Sequence, residues 1–436
     1  MKICIIKIGS FLPSGGIEEY SRMFSTESSK LGHTTDVISV AIGQDFKRPK
    51  EKELLNGLKY TEYNINHIDE FKDRINQYDS IVLMNSYVTT LKDIKTKESK
   101  IKVLDECWKF FECYRDVNAF KVLQNHYGPE KYTAGTPYML EYIYASHRVM
   151  GHSDNDRFYK LCKIANVPFT KIKLFVDFKE FDSDFKKDKS LKYIGRGSSL
   201  KGFQHVPKIS QCLYDEGIRI DMHGMTRDMS VYQKLLRFED VCYLGKPNSD
   251  KTTIYAWGLY SKSELTKILS NAMFVFAPTK FKGGEYNNRF EIAQLEAIGH
   301  KCVLILNKLH GENCYMPDGT RWIDIPNFAI WFDEKNPKKC AEEIIKLSKD
   351  ENLRNKYVEN CYNFAVSNFD ISRFPKHFID IFSDDVEKRE CYDLIPGNVI
   401  EKYAKYRHSE VINCLDLLDN KVTMRIKQKY YEIEES

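Results

Sequence analysis

The chain has 436 residues, 42% of them hydrophobic and 29% charged, which suits two or three domains with a core large enough to need neither disulfides nor metals. The 66 Lys and Arg nearly balance the 62 Asp and Glu, leaving a net charge of +4. That balance excludes a histone-like or tail-driven nucleic-acid binder but allows a local basic groove. The 12 Cys show no zinc-site spacing, and neither a signal peptide nor a membrane span is recognisable, so we expect reduced thiols in a cytoplasmic protein without membrane contact.

The first half alternates predicted strands and helices. Residues 2–8 form an apolar, β-branched run typical of a buried parallel strand, and a glycine-containing loop follows. Residues 17–31 are predicted to be a helix that ends at Gly32. The remaining strands are predicted at 35–40, 80–84, 101–104 and around 149–151. This alternation indicates a doubly wound α/β domain.

A second α/β pattern begins near residue 191, after a weakly periodic linker at 167–185. Its strands are predicted at 191–194, 218–223, 241–244, 274–277, 303–306 and 329–332, and its helices at 264–271, 289–298 and 341–349. We therefore expect two Rossmann-like domains, 1–175 and 190–370, facing across a cleft, with 371–436 as a helical appendage. Such a cleft is a common ligand site.

The stretch Tyr193-Ile-Gly-Arg-Gly-Ser-Ser-Leu-Lys-Gly-Phe203 places two cations, Arg196 and Lys201, around a glycine turn at a strand end. There they can neutralise a diphosphate, Arg196 bidentately and Lys201 as a point charge. A solvated basic turn explains the Gly-Arg pair alone, but the Lys-Gly-Phe continuation favours the phosphate interpretation.

The stretch from Glu285 to Gly299 carries Glu291 and Glu296 on the first turns of a predicted helix. A carboxylate there can accept hydrogen bonds from two vicinal sugar hydroxyls, while the helix N-terminus faces phosphates. The alternative is a solvated helix face. Leu295 and Ala297 flank Glu296 and indicate partial burial, and a buried carboxylate needs a partner.

Taken together, these stretches resemble the retaining glycosyltransferases of the GT-B fold and, within them, the DNA α-glucosyltransferases of T-even bacteriophages. The likeness runs in order from residue 1 to about 385. It also includes Gly151-His-Ser-Asp-Asn-Asp-Arg-Phe and Ile330-Trp-Phe-Asp-Glu. The resemblance implies glucose transfer from UDP-glucose to 5-hydroxymethylcytosine in double-stranded DNA, which protects phage DNA from host nucleases. It also implies a monomer in the host cytoplasm that needs no cofactor or metal to bind its donor, although a divalent cation can stimulate it.

Residue by residue, the resemblance places Arg196 and Lys201 on the diphosphate and Glu296 on the uridine ribose. Glu291 lies near the transferred sugar, and Gly15 and Gly16 let the first loop approach the donor, since glycine has no Cβ. The alternative for the two glycines is an ordinary turn.

Two departures from the family stand out. Asp105-Glu106-Cys107-Trp108 follows the strand predicted at 101–104, where the family has a His-Asp pair, so the carboxylate is retained and the imidazole is missing. The donor sugar could therefore differ from glucose. Asn288 stands where many enzymes of this fold have Glu.

The mechanism remains open between a covalent nucleophile, Glu291 or Asp105, and attack directed by the leaving phosphate. His152 is a candidate base, but we favour a packing role beside a helix cap at Ser153. The lysine-rich segment 92–102 is either a solvated face or a contact to DNA phosphates. The competing functions are transfer to a surface glycan or glycolipid, and sugar or DNA binding without catalysis.

Overall fold

The computed structural model describes residues 1–11, 16–85, 96–125, 139–151, 159, 162–163, 165–181, 187–195, 201–213, 216–224, 241–243, 254–258, 260–279, 290–316 and 318–383. These residues form two compact units. The first contains Met1–Lys173 together with the described residues from Pro375 onward, and the second is Leu174–Phe374.

The first unit is built on an eight-stranded sheet. Its strands are β1 (Lys2–Ile8), β2 (Thr34–Ala41), β3 (Lys50–Glu53), β4 (Lys59–Asn64), β5 (Ser80–Asn85), β6 (Phe120–Asn125), β7 (Arg148–Gly151) and β8 (Phe169–Lys171). The spatial order is β3-β4-β2-β1-β5-β6-β7-β8, and every pair is parallel except β3 with β4. The order reverses between β1 and β5, as in a doubly wound fold.

Within the described residues, four helices of the first unit precede its last strands: α1 (Gly16–Lys30), α2 (Ile68–Ile75), α3 (Lys97–Asp116) and α4 (Met139–Tyr144). The first strand and α1 agree with the sequence prediction, and Gly32 follows α1 with φ of 82°. Strand β8 lies within the linker predicted at 167–185. The boundary between the two units also lies in this linker, after Lys173.

The strand predicted at 101–104 is wrong, because these residues lie inside α3. The run Ile101-Lys-Val-Leu resembles a strand when its four residues are considered alone. Over the longer segment, the buried positions Val103, Cys107, Phe110 and Tyr114 recur at helical spacing. The Thr96 hydroxyl accepts a hydrogen bond from the Ser99 N–H (3.2 Å) and caps the helix start.

The second unit contains a seven-stranded parallel sheet. Its strands are β9 (Asp188–Ile194), β10 (Arg219–His223), β11 (Val241–Tyr243), β12 (Ile254–Ala256), β13 (Ala272–Phe276), β14 (Val303–Asn307) and β15 (Ile330–Phe332), in the order β11-β12-β10-β9-β13-β14-β15. Its helices in the described ranges are α5 (Val206–Leu213), α6 (Lys262–Asn271), α7 (Ile292–Gly299), α8 (Lys308–Asn313), α9 (Pro337–Lys349) and α10 (Glu351–Phe369). The predicted strands agree with the structure, and the order reverses between β9 and β13.

The last described helix, α11 (Phe374–Phe382), lies mostly in the first unit, where Phe378 contacts Phe24 and stacks on His33. The rest of the predicted appendage, from residue 384, lies outside the described residues. Within the described residues, no helix is long and apolar enough to cross a membrane.

Candidate active site

The second unit offers a ligand crevice where its strand order reverses. Strands β9 and β13 are parallel neighbours, with Tyr193 opposite Phe276, so the loops that follow them leave the same edge of the sheet. The chain continues to β10 on one side and to β14 on the other. In doubly wound folds, ligands bind at the carboxyl ends of the strands at such a reversal.

Lys201 and Glu291 meet at this edge. The Lys201 ammonium donates a hydrogen bond to Glu291 Oε1 in an ion pair whose two side chains are 31% and 24% exposed. The Thr279 hydroxyl, three residues after β13, donates to Glu291 Oε2 (3.0 Å). The fold thus brings together two residues that are 90 positions apart in sequence, and it leaves their charges in partial contact with solvent.

Glu291 also lies at the start of a helix. It directly precedes α7, and its N–H donates to Gln294 Oε1 (2.8 Å), while the Gln294 amide donates to the Ala277 carbonyl (3.1 Å). These contacts fasten the start of α7 to the end of β13. The N-terminus of α7 therefore faces the same edge as Lys201, where a helix dipole favours bound anions.

Glu296 lies one turn further along α7 and is buried, with 9% of its surface exposed. Burial raises the pKa of Tyr260, and the charge of Glu296 raises it further. Tyr260 also contacts Gly224: a Cβ on Gly224 would lie 3.1 Å from both the Tyr260 ring and the Gly195 carbonyl oxygen. The burial expected for Glu296 from its apolar neighbours is confirmed.

The turn after β9 depends on glycine. Gly202 has φ of 75°, and a Cβ there would lie 2.7 Å from the Pro278 ring. Any larger residue would therefore strain the backbone and push apart the segments that carry Lys201 and Thr279. Arg196, the other predicted diphosphate ligand, lies outside the described residues, as do Asn288, His152 and Ser153.

In the first unit, the end of β1 is braced by a buried ion pair. Lys7 and Glu18 approach to 3.0 Å with side chains 3% exposed, and Lys7 also donates to the Ser10 carbonyl (2.8 Å). Glu18 lies on α1, so the pair ties the strand end to the helix start. Gly16 begins α1, and within the described residues no atom lies within 4 Å of a Cβ built on it. Gly15 lies outside the described residues.

Asp105 and Glu106 are neighbours on α3 with different surroundings. Asp105 is exposed, whereas Glu106 is buried and accepts a hydrogen bond from the Gly43 N–H (2.6 Å). The Lys102 ammonium lies 3.9 Å from Glu106. The sequence analysis predicted these two carboxylates in a loop after a strand, but the structure places them on a helix. The contact with Gly43 nevertheless brings them to the carboxyl edge of the sheet.

A cavity of about 410 Å³ opens beside these carboxylates. It is lined by one face of α3 and by the turn after β4: Ile65, Asn66, Glu98, Lys102, Asp105, Glu106 and Lys109. Of the lysine-rich segment 92–102, residues 92–95 lie outside the described residues, and Lys102 is exposed at this cavity.

Sequence reasoning missed four residues that this geometry brings in: Lys7, Thr279, Tyr260 and Gln294. Thr279 had a usable signal, since it closely follows a predicted strand at the ligand edge. In the part of the chain that the structure describes, no group of three or more His, Cys, Asp or Glu could hold a metal ion.

No family model matches the chain. The DNA alpha-glucosyltransferase of Enterobacteria phage T4 is 25% identical over 267 residues, 54% of this chain and 66% of that protein, just under two thirds of its length. This match and the architecture described above agree with the resemblance found from sequence. The chain is therefore similar to a phage DNA α-glucosyltransferase over about half of its length.

Solved structures support the GT-B fold of this chain. An alpha-glucosyltransferase in complex with UDP and a 13-mer DNA containing a HMU base superposes with a TM-score of 0.70 at 20% identity, covering 87% of this chain and 99% of that one. Anabaena Alr3699/HepE in complex with UDP gives a TM-score of 0.55 at 11% identity, covering 88% of this chain and 100% of that one. The fold predicted from sequence is confirmed.

Proposed function

We propose that this chain is a glycosyltransferase that moves glucose from UDP-glucose to a hydroxymethylated base in double-stranded DNA. The observation that carries the proposal is the Lys201–Glu291 pair at the strand-order reversal of the second unit, in a chain 25% identical to the T4 DNA alpha-glucosyltransferase. A phosphate-binding cation beside a helix N-terminus is what a nucleoside diphosphate requires.

In this proposal, Lys201 and Arg196 neutralise the diphosphate, and Glu296 accepts hydrogen bonds from the uridine ribose hydroxyls. Gly15 and Gly16 allow the loop after β1 to approach the donor. UDP-glucose is a substrate here, and the donor site uses side chains of this chain without a resident cofactor. The contact between Lys201 and Glu291 supports a place for Glu291 close to both the diphosphate and the attached sugar.

The transfer forms a bond from the acceptor hydroxymethyl oxygen to the anomeric carbon of glucose and breaks the bond from that carbon to the phosphate oxygen. UDP leaves with the bonding electrons, and Lys201 stabilises the charge that develops on it. The hydroxyl proton passes to a carboxylate or to the leaving phosphate. Asp105, Glu106 and Glu291 are the proposed catalytic carboxylates.

The surroundings of the three carboxylates favour different tasks. Both oxygens of Glu291 accept hydrogen bonds, from Lys201 and from Thr279, which suits charge placement better than nucleophilic attack. Glu106 is buried against Gly43, whereas exposed Asp105 can reach a substrate. We therefore favour retention through attack on the face that the leaving phosphate occupies.

The finer features of the proposal follow the family resemblance. The acceptor is 5-hydroxymethylcytosine, the product keeps the α configuration of the donor, and the modification protects DNA from host nucleases. The protein acts as a monomer in the host cytoplasm. The base is reached by flipping or by distortion of the duplex, since its hydroxymethyl group lies at a groove edge.

The experiment that tests the proposal follows labelled glucose from UDP-glucose into duplex DNA with and without hydroxymethylcytosine. We expect label only in the modified duplex, with an α linkage by NMR of the digested nucleoside. If the label enters a glycan or lipid acceptor and never DNA, the chain is instead a glycosyltransferase of surface carbohydrate. If UDP binds and no acceptor is modified, the catalytic assignment is wrong.

A further inference from the structure

We propose that residues 43–50 of the first unit, the 43–50 loop, bind the phosphate backbone of the acceptor DNA. The inference rests on the proposed function and adds to it the surface that holds the acceptor. The loop has the sequence Gly-Gln-Asp-Phe-Lys-Arg-Pro-Lys and runs from the end of β2 to Lys50, the first residue of β3.

The loop presents three exposed cations within four positions: Lys47, Arg48 and Lys50. Among the described residues, neither Lys47 nor Arg48 forms a hydrogen bond or ion pair, and the Lys50 ammonium lies 4.3 Å from the centre of the Phe46 ring. By contrast, Lys52 pairs with Glu62. The cations of the loop are therefore available to an anionic partner.

The loop is held in place by contacts of residues other than its cations. The Gly43 N–H donates to Glu106 (2.6 Å), the Asn64 amide donates to the Phe46 carbonyl (3.0 Å), and the Asn66 amide donates to Asp45 (2.7 Å). The Phe46 ring also packs on His67, with centroids 5.6 Å apart. A pre-ordered loop loses little conformational freedom when it binds, so its charges act at low entropic cost.

The loop borders the cavity at the carboxyl edge of the first sheet. Asn66 contacts Asp45 of the loop and also lines the cavity, whose lining further includes the exposed cations Lys102 and Lys109. Exposed cations therefore lie in the cavity lining and on the loop that contacts it. The carboxylates that line the cavity repel phosphate, so the backbone is held at the rim while a base faces the interior. Duplex DNA, a regular array of phosphates, fits this arrangement.

The test measures binding of a short hydroxymethylcytosine duplex by fluorescence anisotropy between 50 and 200 mM salt. The variant K47A/R48A/K50A removes the three cations of the loop. The matched control K335A/K338A/K339A removes three exposed lysines, one just before α9 and two in its first turn, in the second unit. UDP binding to the wild-type protein is measured in parallel by calorimetry, and melting temperatures confirm that each variant folds.

Each lost phosphate contact reduces the slope of log affinity against log salt by about 0.9, so we expect the loop variant to lose about three units of slope and the control none. A charge-preserving variant, K47R/K50R, should keep the wild-type slope. The inference is overturned if the folded loop variant has the slope and affinity of the wild type. If the wild-type protein binds UDP but binds DNA without any salt dependence, the DNA acceptor of the proposed function fails instead.

Discussion

Replacement of Lys201 by Met separates its proposed role at the diphosphate from its role in the fold. The Lys201–Glu291 pair is partly solvent-exposed, with side chains 31% and 24% exposed, so its loss should change the free energy of unfolding by only ~0–1 kcal/mol. A lost charge-assisted contact to the diphosphate should cost about 1.5–3 kcal/mol, which weakens UDP binding about 10- to 150-fold.

The assay is calorimetric titration with UDP, combined with thermal unfolding of the same samples. Lys349→Met is the matched control, because Lys349 also forms a partly exposed ion pair, with Glu216 (2.8 Å; side chains 56% and 33% exposed). Glu216 precedes β10, so this pair lies away from the carboxyl edge of the sheet. We expect wild-type UDP affinity for this control. The assignment of Lys201 to the diphosphate would be refuted if Lys201→Met kept the wild-type UDP affinity, or if this variant showed a large fall in melting temperature.

Four further predictions follow from the same contacts. Glu296→Gln should weaken binding of UDP itself, because a neutral amide accepts hydrogen bonds from ribose hydroxyls less strongly; equal calorimetric affinities would remove this role. Asp105→Asn should lower the rate of transfer at saturating UDP-glucose with little change in UDP affinity, and an unchanged rate would exclude it as a catalytic carboxylate. Lys187→Met should destabilise the protein by about 2–4 kcal/mol in denaturant titration, because its ammonium donates to carbonyls at the ends of α6 and α7. The exposed neighbour Lys189, replaced by Met, should change little. Burial lowers the pKa of His223 to about 4, so its contribution to stability is present above pH 6.5 and lost as the pH falls towards 4; His223→Gln should therefore flatten the acid side of the stability profile relative to wild type.

Much of the fold could be predicted because its parallel strands are short, continuous apolar runs. Strand β1 is predicted with its observed bounds, and the strands of the second unit fall where their β-branched and aromatic residues cluster. The failure at 101–104 has a physical cause. The run 101–104, apolar except for Lys102, fits a strand and a helix turn equally well, and only the spacing of the buried residues from Val103 to Tyr114 distinguishes them. The antiparallel edge strand β3, with the sequence Lys-Glu-Lys-Glu, carries no apolar signal.

The site was less predictable because its members are distant in sequence. The charged residue types at Lys201 and Glu291 suggested phosphate and sugar binding, but their direct ion pair follows from the alignment of β9 with β13. Thr279 could be inferred only once β13 was placed. The brace between Lys7 and Glu18 has no sequence signal, since a lysine inside an apolar strand gains its partner only through the return of α1.

Mass spectrometry of nucleosides digested from hydroxymethylated duplex DNA, after incubation with the protein and a panel of UDP-sugars, tests the central claim most directly. The account predicts that one product appears, hydroxymethylcytosine carrying a single hexose, and that UDP-glucose yields it. Nucleosides that stay unmodified with every UDP-sugar, from a protein that binds UDP with normal affinity, would contradict the claim that DNA is the acceptor.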